Sequence, residues 1–188
     1  MKLFQPLPEP PLASPEAFAQ FYEQAHLSVF RYGMVLCAGD QDEAEDLTAQ
    51  AFFRAWEKRR QFTGDPAAAL GWVITIARNL LIDRRRSAAI HPVEPIPDEA
   101  LAGEESNVEE ILIDAERLQD VLEILRDLPF PQGDIVTLRY VLGWQVKTIA
   151  SHLGLAENTV SANLRRALAK VQRELLAREN QPRENPVQ

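Results

Sequence analysis

The sequence predicts an all-α protein of two small helical domains joined by an acidic, proline-containing linker. Three observations carry that prediction. Apolar residues recur at steps of three and four along most of the chain, the period of a helix with one buried stripe. No stretch of useful length alternates apolar and polar residues as a half-buried strand would. Third, the composition shifts sharply near the middle of the 188 residues, where prolines and acids replace the helical pattern.

The elements follow in order. Residues 1–15 are rich in proline and read as a flexible leader without the apolar core of a secretory signal. From Glu16 a first helix is marked by Phe18, Phe21, Tyr22, Ala25, Val29 and Phe30, and Gly39-Asp40 ends it. A second helix starts near Asp42 with acids in its first turn, where the helix dipole favours them. Its apolar side is Ala44, Leu47, Ala51, Phe52, Ala55 and Trp56. The turn Thr63-Gly64-Asp65-Pro66 follows, with Pro66 suited to a first helical position. A third helix runs to about Ser87 on Leu70, Val73, Ile74, Ala77, Leu80 and Leu81. Three helices with short loops form a bundle.

His91-Pro-Val-Glu-Pro-Ile-Pro cannot continue a helix, because each proline lacks a donor and restricts its predecessor. Periodicity resumes with Val108, Ile111, Leu112, Ala115, Leu118, Leu122 and Leu125. Pro129 and Pro131 punctuate again, and short helices are expected at about 132–142, 145–153 and 157–178. The expected boundaries are therefore a leader at 1–15, a first domain at 16–90, a linker at 91–114, a second domain at 115–178 and a disordered tail at 179–188.

Charge narrows the function classes. The chain carries 20 Lys+Arg against 28 Asp+Glu, a formal net charge of -8. Residues 1–41 carry -2, residues 42–91 carry +1, residues 92–127 carry -10 and residues 128–188 carry +3. Two neutral-to-basic modules thus flank an acidic connector, so the acidic sum does not exclude nucleic acid. A single cysteine, Cys37, cannot form an internal disulfide and fits a reducing, cytoplasmic setting. No apolar run approaches the roughly 20 residues that span a bilayer. His26, His91 and His152 stand apart and no glycine loop cradles phosphate, so no catalytic site, metal site or cofactor is expected.

The most specific local signal is Gln145–Val171. Ile149, Ala150 and Leu153 form one short apolar face, Gly154-Leu155 a turn, and Val160, Leu164, Ala167 and Leu168 the next face. This is helix-turn-helix spacing, with a small residue at the helix crossing and a valine that locks the second helix. The exposed side of that helix would present Asn158, Ser161, Ala162 and Arg165, with Arg166, Lys170 and Arg173 on or near it. Short polar groups there can reach base edges while cations hold phosphates. The plainer alternative is a helical hairpin packed in a bundle. A second signal is Trp72 followed by Arg78, Asn79, Asp83 and the triplet Arg84, Arg85, Arg86. It suits single-stranded or melted DNA, although the triplet could equally complement a helix C-terminus, and Trp72 could equally be core.

Together these residues resemble a bacterial extracytoplasmic-function sigma factor, the small group that keeps the second and fourth conserved regions. Asp42-Glu-Ala-Glu-Asp-Leu-Thr-Ala-Gln-Ala-Phe-Phe-Arg-Ala-Trp56 resembles the polymerase-docking signature. Trp72–Arg86 resembles the helix that opens and reads the minus-ten element, and Leu128 through Leu168 resembles the region that reads the minus-thirty-five element. The resemblance covers about residues 16–88 and 115–178. It implies a non-enzymatic factor that binds RNA polymerase core through the β and β′ subunits and directs initiation at promoter DNA. An anti-sigma factor is a third candidate partner. By position, Glu45, Asp46, Thr48, Gln50 and Arg54 would dock on polymerase. Phe62, Thr63 and Gly64 would lie in the loop that captures a flipped base, and Trp72, Arg78, Asn79, Asp83, Arg84, Arg85 and Arg86 on the minus-ten helix. Asn158, Thr159, Ser161, Ala162, Asn163, Arg165 and Arg166 would lie on the upstream recognition helix. The acids Glu104, Glu105, Glu109 and Glu110 of the connector could mimic nucleic-acid charge in a polymerase channel.

The chain departs from the usual pattern at Ala49, Ser161 and Asn163, which bears on docking strength and promoter sequence. Two other readings remain at this stage. One is a helix-turn-helix regulator of the two-component output type, and the other a sigma-like adapter that titrates an anti-sigma factor.

Overall fold

Ser14 starts the first helix: its Oγ accepts the Ala17 amide at 3.1 Å, satisfying one of the amides a helix start leaves open. Pro15 stands at the first helical position, where no donor is needed. The computed structural model describes residues 11–90 and 118–179. They comprise α1 (Pro15–Leu36), α2 (Gln41–Lys58), α3 (Ala69–Ile90), α4 (118–126), α5 (Phe130–Tyr140), α6 (Val146–Leu153) and α7 (Glu157–Glu179). Short 3-10 turns at Arg59–Gln61 and Pro66–Ala68 lie between α2 and α3. No strand occurs among the described residues. The predicted all-α fold is the fold found. Two compact units divide the described residues, one of 11–33 with 42–90 and one of 34–41 with 118–179.

In the first unit the three helices meet over Val29 and Tyr32 from α1, Ala44 and Leu47 from α2, and Val73 and Ile74 from α3, all fully buried. Alanines on α2 let the helices approach. A Cβ at Gly33 would come within 3.4 Å of the Ala44 Cα and 3.3 Å of a Leu47 methyl, so glycine suits that crossing. An aromatic cluster closes one end, with Phe18 edge-on to Trp56 at 5.2 Å and Tyr22 edge-on to Phe52 at 4.8 Å. Tyr22 stays 44% exposed at the rim of that cluster.

The leader differs from expectation after residue 10. Leu12 is buried, and Arg59 donates from Nε to the Ala13 carbonyl at 3.2 Å while its guanidinium lies 3.5 Å over the Trp56 ring. A cation held by a ring face and two carbonyls anchors this stretch to the end of α2. Residues 1–10, the linker expected at 91–114 and the tail beyond 179 fall outside the described residues.

In the second unit, Ile124, Ile135, Leu138, Ile149, Val160 and Ala167 are fully buried. Of the periodicity expected over 108–125, the part before 118 lies outside the described residues. Leu118 is exposed and the deepest residue of α4 is Ile124, which the sequence stripe left out. Helix α5 begins at Phe130, two residues earlier than expected, because Pro129 caps it and Pro131 falls in its first turn. Both prolines begin a helix here; they do not merely break one. The chain turns from α6 into α7 through Gly154 at φ +66°, a left-handed cap that costs glycine little, and the Leu155 amide donates to the Ala150 carbonyl at 2.9 Å. Leu168, expected inside, is 41% exposed, since α7 buries Val160, Leu164 and Ala167 on a narrower stripe. At its far end Arg178 binds Asp120 and, at 3.1 Å, Glu123; the hydrogen bond to Asp120 raises the guanidinium above its ordinary pKa.

Candidate interfaces for polymerase and nucleic acid

Because Leu47, Ala51 and Ala55 turn inward on α2, positions one-half turn away must face outward. Glu45, Asp46 and Arg54 are exposed and Gln50 is half-buried. Gln50 donates from Nε2 to both carboxylate oxygens of Asp46, at 2.9 and 3.0 Å, which orients the pair along the helix. Thr48 departs from the expectation. Its side chain is buried and its hydroxyl donates to the Ala44 carbonyl at 2.7 Å, so it packs inside the bundle and leaves the exposed face to its neighbours.

One residue absent from the predicted set dominates this face. Phe53 is 63% exposed and, with Ala49, Gln50 and Arg54, lines a shallow depression. A large exposed ring beside a small residue and two polar ones is a ready contact point for another protein. The signal was in the sequence: Asp46, Ala49 or Gln50, and Phe53 recur at steps of three and four, opposite the buried stripe.

Helix α3 sorts its predicted residues into groups. Trp72, Asn79, Asp83 and Arg86 recur at steps of three, four and seven and share one side with Thr75; Asn79, Asp83 and Arg86 are exposed there. Arg78 and Arg85 are half-buried on a flank of that side. Arg84 does not join them. It falls four residues after buried Leu80 and points to α2, where Nη2 lies 2.6 Å from Asp46 and Nη1 3.7 Å from Glu43. The predicted DNA contact and the predicted docking acid are thus partners of each other.

The loop before α3 also differs. Phe62 is buried, stacked on Trp72 at 4.9 Å and 27°. A Cβ at Gly64 would meet the Phe62 ring at 2.8 Å, so any other residue there would have to displace that ring. Phe62 therefore supports the loop, and the exposed groups there are Thr63 and Asp65. Asp65 accepts the Ala67 amide at 2.6 Å and fixes the turn into α3.

On α7, Asn158 and Arg165 are exposed and Ser161 and Ala162 half-buried along one line at steps of three and four. Thr159, Asn163 and Arg166 occupy the adjacent flank. There Asn163 donates to the Thr159 carbonyl at 2.9 Å, and Arg166 reaches the Ala162 carbonyl and the Asn163 side chain, both at 3.3 Å. Lys170 is drawn to the Asp127 carbonyl at 3.1 Å and to Glu174 at 3.6 Å. The line from Asn158 to Arg165 lies opposite the buried stripe of Val160, Leu164 and Ala167.

Among the described residues nothing else forms a reactive constellation. Cys37 is buried, His26 stacks on Tyr22 at 5.2 Å, and the His152 ring meets Trp144 edge-on at 4.9 Å. Among the described residues no group of three His, Cys, Asp or Glu could hold a metal, and no helix is long and apolar enough to cross a membrane.

Residues 21–90 match the model of sigma-70 region 2, and residues 118–171 that of sigma-70 region 4. The chain is 33% identical over 148 residues to the ECF RNA polymerase sigma factor SigL of Mycobacterium tuberculosis, covering 78% of this chain and 82% of that protein. Among solved structures, the sigma factor RpoE of Bartonella quintana, in complex with the anti-sigma factor NepR, gives a TM-score of 0.63 at 23% identity over 86% of this chain and 98% of that one. CnrH, in complex with the cytosolic domain of CnrY, gives 0.62 at 18% identity over 89% and 92%. At these identities both structures speak to the fold alone.

Proposed function

The chain belongs to the sigma-70 family, in its extracytoplasmic-function group, and from that premise we propose how its residues divide the work of promoter-specific transcription initiation. Helix α2 docks on RNA polymerase core through Asp46, Gln50, Phe53 and Arg54. Helix α3 meets the minus-ten element through Trp72, Asn79, Asp83 and Arg86, with Arg78 and Arg85 on phosphates and Thr63 in the preceding loop. The line Asn158, Ser161, Ala162 and Arg165 on α7 reads the minus-thirty-five element in the major groove. The protein works in the cytoplasm beside the polymerase and has no catalytic site of its own. An anti-sigma factor is its further partner on this reading.

The observation that carries the proposal is the presence of two outward-facing recognition helices in separate units, in the chain order of regions 2 and 4. Neither unit has the charge to hold DNA tightly alone, since residues 42–91 carry +1 and residues 128–188 carry +3. A scaffold that presents both elements at fixed spacing converts the second contact into an intramolecular one. Polymerase core is that scaffold.

The test is in vitro transcription from a genomic fragment library with purified core, with and without the chain. Start sites that appear only with the chain and share two motifs at fixed spacing are expected. Core binding without new start sites would favour the adapter, and DNA binding that ignores core would favour the helix-turn-helix regulator. On a promoter so found, Arg165→Ala is expected to weaken binding by about 1–3 kcal/mol if it contacts a base. Comparison with a promoter altered at the upstream element checks the assignment: an equal loss on both sequences makes Arg165 a phosphate contact instead.

A further inference from the structure

On the reading that α2 faces polymerase and α3 faces DNA, we propose that Arg84 is an autoinhibitory contact: α2 holds it in reserve through Asp46 and Glu43, and docking on α2 frees it for a phosphate of the melted strand. The geometry is asymmetric in a way that suits a release. The side chain of Arg84 is 27% exposed, while Asp46 and Glu43 are 57% and 43% exposed. An incoming protein therefore reaches the acids more readily than the arginine.

Asp46 is the point where the two activities meet. It accepts Gln50 at 2.9 and 3.0 Å on the docking face and Arg84 at 2.6 Å from α3. A cation from a docking partner that takes one Asp46 oxygen competes directly with the Arg84 guanidinium. Once the acids let go, the long side chain of Arg84 is free to change rotamer. Because the pair is partly exposed, its hold is weak, and it biases the free chain without locking it.

The clasp also suits the chain's charge. A free sigma factor that bound DNA anywhere would be lost to non-specific sites, and neutralising one cation at the edge of α3 lowers that binding at little cost to the assembled complex.

The experiment uses the full chain without core and a fluorescently labelled oligodeoxythymidine strand, followed by anisotropy across a salt series. Asp46→Asn keeps the shape of the side chain and removes the charge. It is expected to tighten binding about two- to fivefold at low salt and to steepen the salt dependence by about 0.7, the increment for one added phosphate contact on a single strand. Glu43→Gln gives a smaller gain in the same direction. In an Arg84→Ala background the Asp46→Asn gain disappears. Glu57→Gln makes the same charge change about 16 Å further along α2 and leaves the salt slope at the wild-type value. Circular dichroism reports folding of each variant.

An unchanged affinity and slope in folded Asp46→Asn overturns the clasp, and so does a gain that survives Arg84→Ala, which would reflect net charge alone. The same variants assembled with core separate this idea from the reading beneath it. If wild-type holoenzyme binds promoter DNA and Asp46→Asn has no effect on the free chain, the clasp alone falls. If wild-type holoenzyme does not bind promoter DNA, the assignment of α3 falls and the clasp with it.

Discussion

Replacing Phe53 with alanine is expected to lower the affinity of the chain for polymerase core by about 2 kcal/mol, roughly thirtyfold. The magnitude rests on the chemistry of the site. A ring 63% exposed in the free chain loses its water when a partner covers it, and aromatic anchors at the centre of an interface carry more energy than the polar rim around them. Gln50 and Arg54, which line the same depression, would supply that rim in the proposed interface. Titration of labelled chain with core measures the loss. The fold should not change, because an exposed side chain contributes little to stability. Its neighbour behaves oppositely: Phe52 is 4% exposed and meets Tyr22, Phe18 and Phe21, so Phe52→Ala should unfold the bundle before it affects docking. Unchanged core affinity in Phe53→Ala would move the docking surface off this face of α2.

The contrast between Phe52 and Phe53 shows what a sequence discloses and what it withholds. Helical phase separates them without any structure, since Phe52 follows the buried alanines and Phe53 does not. The same phase places Asn158, Ser161 and Arg165 on one line, and predicts the all-α class and the helix-turn-helix. Phase does not say what an outward or borderline side chain will touch. Arg84 reads as one of three equivalent arginines, yet it follows Leu80 and Leu81 at steps of four and three, and that placement turns it toward α2 and its acids. Thr48 looks polar and available, but a helical threonine can satisfy its hydroxyl on the carbonyl four residues back. Phe62 looks like a loop aromatic, and only the approach of Trp72 and Gly64 makes it core. In each case the deciding partner lies on another element or in a side-chain rotamer. Neither is written in a single-helix pattern.

Packing also decides the proposed upstream reader, where Ile149→Ala is expected to destabilise the C-terminal unit by about 2–5 kcal/mol. Helix α6 has eight residues, too few to persist on its own propensity, so its stability comes from the contacts of Ile149 and Ala150, which are 0% and 4% exposed. Those contacts also fix where α7 begins. The turn at Gly154 joins the end of α6 to a helix whose Val160 is wholly buried, and the exposed line from Asn158 to Arg165 is aimed only while that crossing holds. Loss of the Ile149 side chain removes apolar burial and leaves a cavity in so short an element, and Ala150 is too small to compensate. The expected result is a lower urea midpoint together with loss of protection at the upstream element in footprints of the holoenzyme. Arg165→Ala separates fold from readout, since it should weaken the upstream contact at an unchanged midpoint. Ile149→Val, which removes one methylene, should cost about 0.5–1.5 kcal/mol and keep the footprint. If Ile149→Ala kept both the midpoint and the footprint, the crossing of α6 and α7 would not be what aims the recognition helix.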